Sequence, residues 1–481
     1  MFKTVQNKLK RSKIVGFEDS DTCEVNARCY DETYDNRIRS VGMVLLGNGT
    51  ELCSGALVNN VNNNYTPYFL TAFHCIDTNR NGVLSSTEIS NAESWIVWFN
   101  YESPGCPDPP DPPTHNSISA MTLKANNIAT DFALLELSQK PPASYNVYLS
   151  GWSNIDTAPQ SSVGIHHPSG DIKKLSIDND PAISDIYTNT PANSHWTVDF
   201  DTGTAEHGSS GSPLFDQNYR ITGQLHGTMN PLVDGTNYCQ ITDISYGKFS
   251  MSWNYGNSSP TRLKDWLDPN NSGATTLNGL NVSPISVFIT GPSSLGFLET
   301  GSYTAYANGG YPNDPVSYQW YKKEDGVSTW SSRGSDNPHD EKMISTSFTL
   351  KVVMTKGGET TESTNYVTYG TGGGYDPKIL LLPKSYSLSQ NHPNPFNPIT
   401  TIKYELPVAS SVSLVIYDLR GNEVTRWVMA NETAGYKRKT WNATDKHGNK
   451  VPAGVYLLKM TAESKKSQQI FTETRKMALI K

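Results

Sequence analysis

The sequence predicts a mainly β protein built from several domains. Short apolar runs that alternate with polar residues are separated by turn signals, and stretches with helical periodicity are few. Among 481 residues there are 37 Gly and 29 Pro, a supply of turn formers that suits many short strands. At roughly one domain per 150 residues the length admits about three units, and an all-β unit can use up to roughly 250. The net charge of −7 gives no basis for binding nucleic acid. No apolar run reaches the roughly 18 residues of a membrane-spanning helix, so no transmembrane segment is expected.

Residues 1–16 open the chain. Met1 to Lys13 is polar and basic, with no apolar core and no small-residue cleavage site, so it is not read as a signal peptide. It is expected to be the remnant of a longer leader. The chemically informative segments follow in the order Thr71-Ala72-Phe73-His74-Cys75, Thr130-Asp131-Phe132-Ala133-Leu134-Leu135 and Gly208-Ser209-Ser210-Gly211-Ser212-Pro213. They supply the His, Asp and Ser of an acyl-transfer triad. Serine is a weak nucleophile at neutral pH, so Ser210 needs His74 to take its proton, and Asp131 would fix the tautomer of that base. The small residues around Ser210 let the backbone turn tightly and aim the N–H groups of Gly208 and Ser210 at a developing oxyanion. Each such donor is worth roughly 3–4 kcal/mol. Asp131 opens an apolar run, Phe132 to Leu137, that reads as a buried strand suited to a carboxylate held away from water.

Directly after His74, residues Asp77, Asn79, Asn81, Gly82, Leu84 and Glu88 match the D-x-[DN]-x-[DN]-G-x5-E calcium loop. Oxygens would come from Asp77, Asn79, Asn81, Ser85, Glu88 and the Val83 carbonyl. With two carboxylates the site is expected to be weak, in the roughly 10⁻⁴–10⁻³ M range. Any calcium would be structural, because the triad chemistry needs no cofactor. His166-His167-Pro168 lacks a third metal ligand at useful spacing and reads as a strand and turn.

All six cysteines lie between Cys23 and Cys239 and the rest of the chain has none, so the first domain is expected to be oxidised and disulfide-stapled. Residence in the cytosol is thereby disfavoured. The pairing itself does not follow from spacing.

Residues 17–284 resemble the lysyl endopeptidase branch of the trypsin-like serine proteases. The resemblance is carried by Cys53-Ser54-Gly55-Ala56-Leu57-Val58-Asn59-Asn60, Tyr68-Phe69-Leu70-Thr71-Ala72, Asp131 to Leu137, Gly151-Trp152, Ile165-His166-His167-Pro168, Gly223-Gln224-Leu225-His226-Gly227 and Trp266-Leu267-Asp268-Pro269. It implies a chymotrypsin-like double β-barrel with the triad in the crevice between barrels. It also implies the disulfides Cys53–Cys75, Cys29–Cys106 and Cys23–Cys239. By the same resemblance, Glu206 would help to hold a substrate ammonium, and His226 would pack against the ring of Tyr187 near the triad. A second pocket carboxylate is expected from the strand after Gly-Gln-Leu-His-Gly. Anchoring on Tyr246-Gly247-Lys248 puts Ile244 at that place and Asp243 one residue earlier, and a local gap in the long loop from His226 to Cys239 would bring Asp243 into register. Asp243 is therefore expected to be the pocket acid, favouring cleavage after Lys or another basic residue. Ser209 stands where trypsin-like zymogens carry an Asp, so Lys13-Ile14-Val15-Gly16 is not read as an activation site.

Residues 285–370 read as a separate β-sandwich resembling an immunoglobulin or PKD-type module. Val316, Tyr318 and Trp320 alternate on one strand and Phe348, Leu350, Val352 and Met354 on another. A Gly-rich tether, 371–385, follows. In residues 386–481, Asn391-His392-Pro393-Asn394-Pro395-Phe396-Asn397-Pro398 precedes Thr400 to Pro407, Tyr417-Asp418-Leu419-Arg420-Gly421 and Ala453-Gly454-Val455-Tyr456. These resemble the C-terminal sorting domain of the type IX secretion system, which implies a small β-sandwich and export by that machinery from a Gram-negative, Bacteroidetes-like bacterium. Residues 391–481 carry +7 and the remainder −14.

The expectation is thus a secreted or cell-surface serine endopeptidase, monomeric, acting on protein or peptide substrates. The competing expectation is an inactive protease-like domain in a surface adhesion or binding protein.

Overall fold

The structure, a computed structural model, describes residues 16–45, 52–230, 237–370, 383, 385–446, 449–464 and 470–480. The leader expected before residue 16, Ile14-Val15 and most of the 371–385 tether lie outside the described residues. The described chain is mainly β. It divides into a first compact unit, reaching Ser286 and taking in Asn308–Val316 and Thr355–Thr360, and a second unit made of the rest.

The first unit is built on two large sheets. Strands β1 (Val41–Leu45), β2 (Leu52–Val58), β3 (Tyr68–Ala72), β4 (Ile96–Phe99), β5 (Asn116–Ser119), β6 (Met121–Asn127) and β7 (Phe132–Leu137) form one, in the order β5-β4-β1-β2-β3-β7-β6. Every pairing in it is antiparallel. The second sheet includes β8 (Ser162–His166), β9 (Lys174–Asp178), β10 (His195–Val198), β11 (Pro213–Asp216), β12 (Ile221–Thr228) and β13 (Ile244–Lys248). Its main path runs Val25–Asn26, β9, β8, β11, β12, β13, β10 and Ile183–Asp185. Phe132 to Leu137 is the buried strand its apolar run predicts, with only Glu136 half-exposed.

Burial on both faces explains why β3 and β7 read as near-continuous apolar runs, whereas β5 and β6 at the sheet edges keep polar residues and exposed positions. One face of the first sheet closes over Val44, Leu57, Phe69, Val97 and Leu135. One face of the second closes over Trp196, Leu214, Leu225 and Tyr246. A third cluster draws on both sheets, with Leu70, Phe132 and Leu134 from one and Ile165, Leu175 and Phe215 from the other. Two β layers with a core each and a shared core between them agree with the double-barrel architecture that the resemblance implies. The three disulfides join Cys53–Cys75, Cys29–Cys106 and Cys23–Cys239, as the resemblance implies.

Two sheets of three and five strands span Ser286–Tyr369, and most of their residues belong to the second unit. Phe348, Leu350, Val352 and Met354 are all fully buried, matching their period-two spacing, and Trp320 is buried with its indole N–H donated to the Asp336 carbonyl at 2.8 Å. The strand carrying Trp320 departs from expectation at its start. Val316 is 40% exposed and Tyr318 is half-buried, whereas Lys322 takes the inward place. Burial of Lys322 is compensated by the Glu341 carboxylate at 3.1 Å. Residues from Ser387 to Leu479 form a second sandwich of three and four strands around Ile402, Leu414, Trp441, Leu458 and Met460.

Candidate active site

Strand pairing brings the first two triad residues together. Antiparallel β3 and β7 pair Ala72 with Phe132, so the chain leaving β3 at Phe73–Cys75 meets the chain entering β7 at Asp131. Phe73 N–H donates to the Asp131 carbonyl at 2.8 Å, and His74 N–H donates to Asp131 Oδ1 at 2.9 Å. Asp131 sits at φ +57°, a left-handed conformation that Asp tolerates better than most residues. That turn aims its carboxylate at the imidazole, and His74 Nδ1 lies 2.7 Å from Asp131 Oδ2. Cys75, bonded to Cys53 on β2, anchors the other side of the His74 turn.

Ser210 comes from the turn entering β11, and His74 Nε2 lies 2.8 Å from its Oγ. Two glycines make this turn possible. At Gly211, φ is +80° and a Cβ would stand 2.2 Å from Thr71 Oγ1. At Gly208, φ is +90° and a Cβ would stand 2.7 Å from the His167 carbonyl. Ser54 holds the back of the turn: its N–H donates to the Ser210 carbonyl at 2.8 Å and its hydroxyl to the Gly208 carbonyl at 2.8 Å. The N–H groups of Gly208 and Ser210 donate to no other described residue, which leaves both available for an oxyanion.

Burial penalises an imidazolium at His74, but the Asp131 carboxylate outweighs it by charge and hydrogen bond, so the His74 pKa stands above its ordinary value. Burial likewise opposes ionisation of Asp131, yet His226 and His74 hold its carboxyl below the usual range. The result is an ionised, water-shielded carboxylate behind a side chain that is 29% exposed and able to reach substrate.

The expected His226–Tyr187 contact is present, with ring centroids 3.9 Å apart. His226 also stacks on His74 at 5.6 Å and faces Asp131 Oδ2 at 3.8 Å. Sequence reading missed what lies behind it. His195 Nε2 is 2.9 Å from His226 Nδ1, and His195 Nδ1 is 2.7 Å from Ser194 Oγ. Burial pushes both imidazoles down, to about 4 at His226 and about 3 at His195, so both are neutral at pH 7, and His226 gains its charge only in the acid range where Asp131 titrates. His195 opens β10 directly after the polar stretch Asn193-Ser194, and no motif around it carries a signal that would have found it.

A cleft of about 700 Å³ opens at the triad, bounded on one side by Ala205, Glu206, Gly227, Thr228, Tyr238 and Ile244. Glu206, the residue the resemblance assigns to substrate binding, lines this cleft. Its Oε1 accepts the Asp21 N–H at 2.7 Å and its Oε2 the Ser169 hydroxyl at 2.6 Å, and burial lifts its carboxyl against both bonds. Asp243 is not in the cleft. It is exposed, with its carboxylate 3.5 Å from Asn230 Nδ2, and the buried residue lining the cleft is Ile244. The register explains the correction: β13 begins at Ile244, paired with Val198 and Thr228, and no gap shifts Asp243 inward.

The Asp77–Glu88 loop borders the same cleft through Asp77, Thr78 and Arg80. Asp77 is 4% exposed and accepts the N–H of Gly82 at 2.8 Å, while Gly82 takes φ +78°. Ser85 caps the helix Ser86–Glu93 in a capping box with Glu88. Incoming helix is limited to the single turn Phe73–Cys75. Side chains of Asp77, Asn79, Asn81 and Glu88 all offer hard oxygens, the donor set that suits calcium. Asp77, Asn79 and Asn81 accept local N–H groups and each retains a lone pair for a cation, whereas Glu88 accepts from Thr78, from Asn79 and twice from Ser85, and would have to release one of these bonds to bind one. His166 and His167 are fully buried at the end of β8, in the strand-and-turn setting expected.

Residues 17–250 match the family model described as the lysyl endopeptidase C-terminal domain, and residues 399–466 match the FlgD Ig-like domain. The chain is 33% identical over 243 residues to a lysyl endopeptidase of Pseudomonas aeruginosa, an alignment covering 47% of each protein. The chain thus spans about half the length of that relative. Among solved structures, a Glu endopeptidase is 15% identical with a TM-score of 0.30, covering 49% of this chain and 93% of that one. A FlgD from P. aeruginosa is 24% identical with a TM-score of 0.15, covering 16% and 59%.

Proposed function

We propose that the first unit is a serine endopeptidase that hydrolyses peptide bonds through an acyl-enzyme. The observation that carries the reading is the doubly bonded imidazole, with Asp131 at 2.7 Å on one nitrogen and Ser210 at 2.8 Å on the other, at the wall of an open cleft. His74 would take the Ser210 proton during attack on the carbonyl carbon and give it to the leaving amine. Water then attacks the acyl-enzyme with His74 again as base, and the free acid departs. Gly208 and Ser210 N–H groups would stabilise both tetrahedral intermediates. The matched family model and the relative at 33% identity support this reading.

Cleavage after Lys or Arg is proposed on Glu206 alone, since Ile244 makes the adjoining wall apolar. An ammonium entering this desolvated wall would meet a carboxylate that keeps free lone pairs. Digestion of a mixed peptide library with sites mapped by mass spectrometry is expected to give cuts after basic residues. Glu206→Gln should lower kcat/KM for those sites by roughly 10- to 100-fold, the worth of a charge-assisted contact. Cuts after Glu or apolar residues would reject the specificity, and no cuts from folded protein would favour a binding role.

The Asp77–Glu88 loop is proposed to hold a structural calcium ion. At about ten times Kd, calcium should stabilise the fold by roughly 1.4 kcal/mol, raising Tm by a few degrees, and Asp77→Ala should abolish the rise. An unchanged Tm in about 10 mM calcium, well above the expected range of binding, would refute the site.

Residues 386–481 are proposed to direct type IX export, placing the enzyme outside a Gram-negative cell. The Asn391–Pro398 string and the small sandwich it enters support this. Deleting this unit is expected to trap the protein in the periplasm of a type IX-competent host, and undiminished secretion would contradict it.

A further inference from the structure

The turn bearing Gly208 and Ser210 needs rigid support, because donors are worth most when they are already aimed at the oxyanion. Trypsin-like zymogens gain such support from an Asp before the nucleophile, and Ser209 occupies that place here. We infer that His166 is a positioning residue for this turn, bracing Ser209 to Ser176 and so fixing the Gly208 and Ser210 N–H groups. The inference rests on the endopeptidase reading above.

Four contacts define the brace. Ser209 Oγ lies 2.7 Å from His166 Nδ1 and accepts the Glu206 N–H at 3.1 Å. His166 Nε2 lies 3.0 Å from Ser176 Oγ, and Ser176 donates its hydroxyl to the Thr204 carbonyl at 2.6 Å. Ser209, His166 and Ser176 are all fully buried, so bulk water does not replace any of these bonds.

Proton counting fixes every direction. A carbonyl only accepts, so the single Ser176 proton is spent on Thr204. Ser176 can then only accept from His166, which puts the imidazole proton on Nε2. The bare Nδ1 must accept the Ser209 proton, and the Ser209 oxygen keeps a lone pair for the Glu206 N–H. Each donor and acceptor is used once. Both ends of the chain, Thr204 and Glu206, belong to the segment leading into the nucleophile turn, and His166 lies at the end of β8. The imidazole therefore ties that segment to the second sheet at two points.

Charged neighbours agree with a neutral ring. Glu24 Oε2 faces His166 Nε2 at 3.7 Å, and burial raises the Glu24 carboxyl well above its ordinary value, with Glu206 adding to the rise and Lys174 opposing it. Burial and Lys174 together bring His166 down to about 3. The lock holds through hydroxyl and imidazole dipoles rather than through an ion pair.

Ser209→Ala is expected to lower kcat roughly 10- to 100-fold with KM changed less than about threefold, a partial loss compared with removing a hole donor outright. A peptidyl aldehyde, which adds to Ser210 and places its oxyanion in the hole, should bind Ser209→Ala more weakly by a similar factor. A product-like peptide acid should bind as before, a split that a merely structural loss would not produce. His166→Asn, whose amide oxygen can accept the Ser209 proton, should recover part of the activity that His166→Leu loses. In the unmodified full chain, ¹⁵N-imidazole spectra should find His166 protonated on Nε2 alone. Folded Ser209→Ala with unchanged kcat and aldehyde affinity would overturn the inference, as would a His166 protonated on Nδ1. An unmodified chain without peptidase activity would instead defeat the endopeptidase reading, and the spectrum would still decide the brace.

Discussion

Ser210→Ala is expected to reduce kcat by about 10⁵- to 10⁶-fold while leaving the fold intact, because Ser210 and His74 act as one unit and removal of either forfeits the acyl-enzyme route. The hydroxyl lies at the cleft wall and makes its described side-chain bond to His74, so its loss opens no core cavity. Asp131→Asn should cost about 10⁴-fold, since an amide at this place can stabilise the wrong imidazole tautomer. Asp131→Asn should also change the pH dependence. In the unmodified chain His74 must be neutral to act as base, and its pKa stands above the ordinary 6.5, so kcat/KM should rise with pH through a midpoint above 6.5. Without the Asp131 charge, burial and Arg80 lower the His74 pKa against the smaller influence of Asp77, and the midpoint should fall below that value. Steady-state kinetics across pH measures these effects, with active sites counted by a fluorophosphonate in the chains that keep Ser210 and by protein concentration in Ser210→Ala. A Ser210→Ala chain keeping a substantial fraction of activity would assign hydrolysis to another residue.

Lys173→Met should destabilise the first unit by about 3–5 kcal/mol, the range for breaking a buried ion pair from one side. Lys173 has no exposed side-chain surface. Its ammonium lies 2.7 Å from Glu102 Oε2 and donates to the Ile38 carbonyl at 2.8 Å, and Arg28 meets the other Glu102 oxygen. Burial pushes the Glu102 carboxyl up, but Lys173 and Arg28 outweigh it and hold it below its ordinary 4.5. The carboxylate therefore contributes stability that is present above that value and is lost as pH falls through the folded pKa. In Lys173→Met the Glu102 charge keeps only Arg28, so the carboxyl should titrate at higher pH and the deficit should shrink between pH 7 and 5. Urea midpoints at the two pH values test this. A deficit below about 1 kcal/mol at pH 7 would mean that the pair is far less costly to break than its burial implies.

That triplet illustrates what a sequence conceals. Arg28, Glu102 and Lys173 lie in three separate segments and none stands in a motif, so nothing local announces that their charges share one buried site. His195 and the His166–Ser209–Ser176 brace escaped notice for the same reason. His166 was legible as part of a strand and turn, yet its tautomer depends on hydroxyls from two other segments. Asp243 failed differently. Its residue type was right for a pocket, but β13 pairs in a register that buries Ile244, and a one-residue offset reverses which side chain faces the cleft.

Local chemistry determined much from the sequence alone. His74, Asp131 and Ser210 sit in segments whose composition answers a local demand: an apolar strand to shield a carboxylate, and glycines where φ is positive and no Cβ fits. Period-two burial of Phe348 to Met354 and confinement of the cysteines to one domain were likewise matters of pattern. The tertiary structure decided everything that depends on distance between remote segments: which carboxylate reaches the cleft, which imidazoles become neutral by burial, and how their protons are directed. Burial and register arise only when strands pair, and they set whether a given side chain is a solvated surface group or part of the active-site machinery.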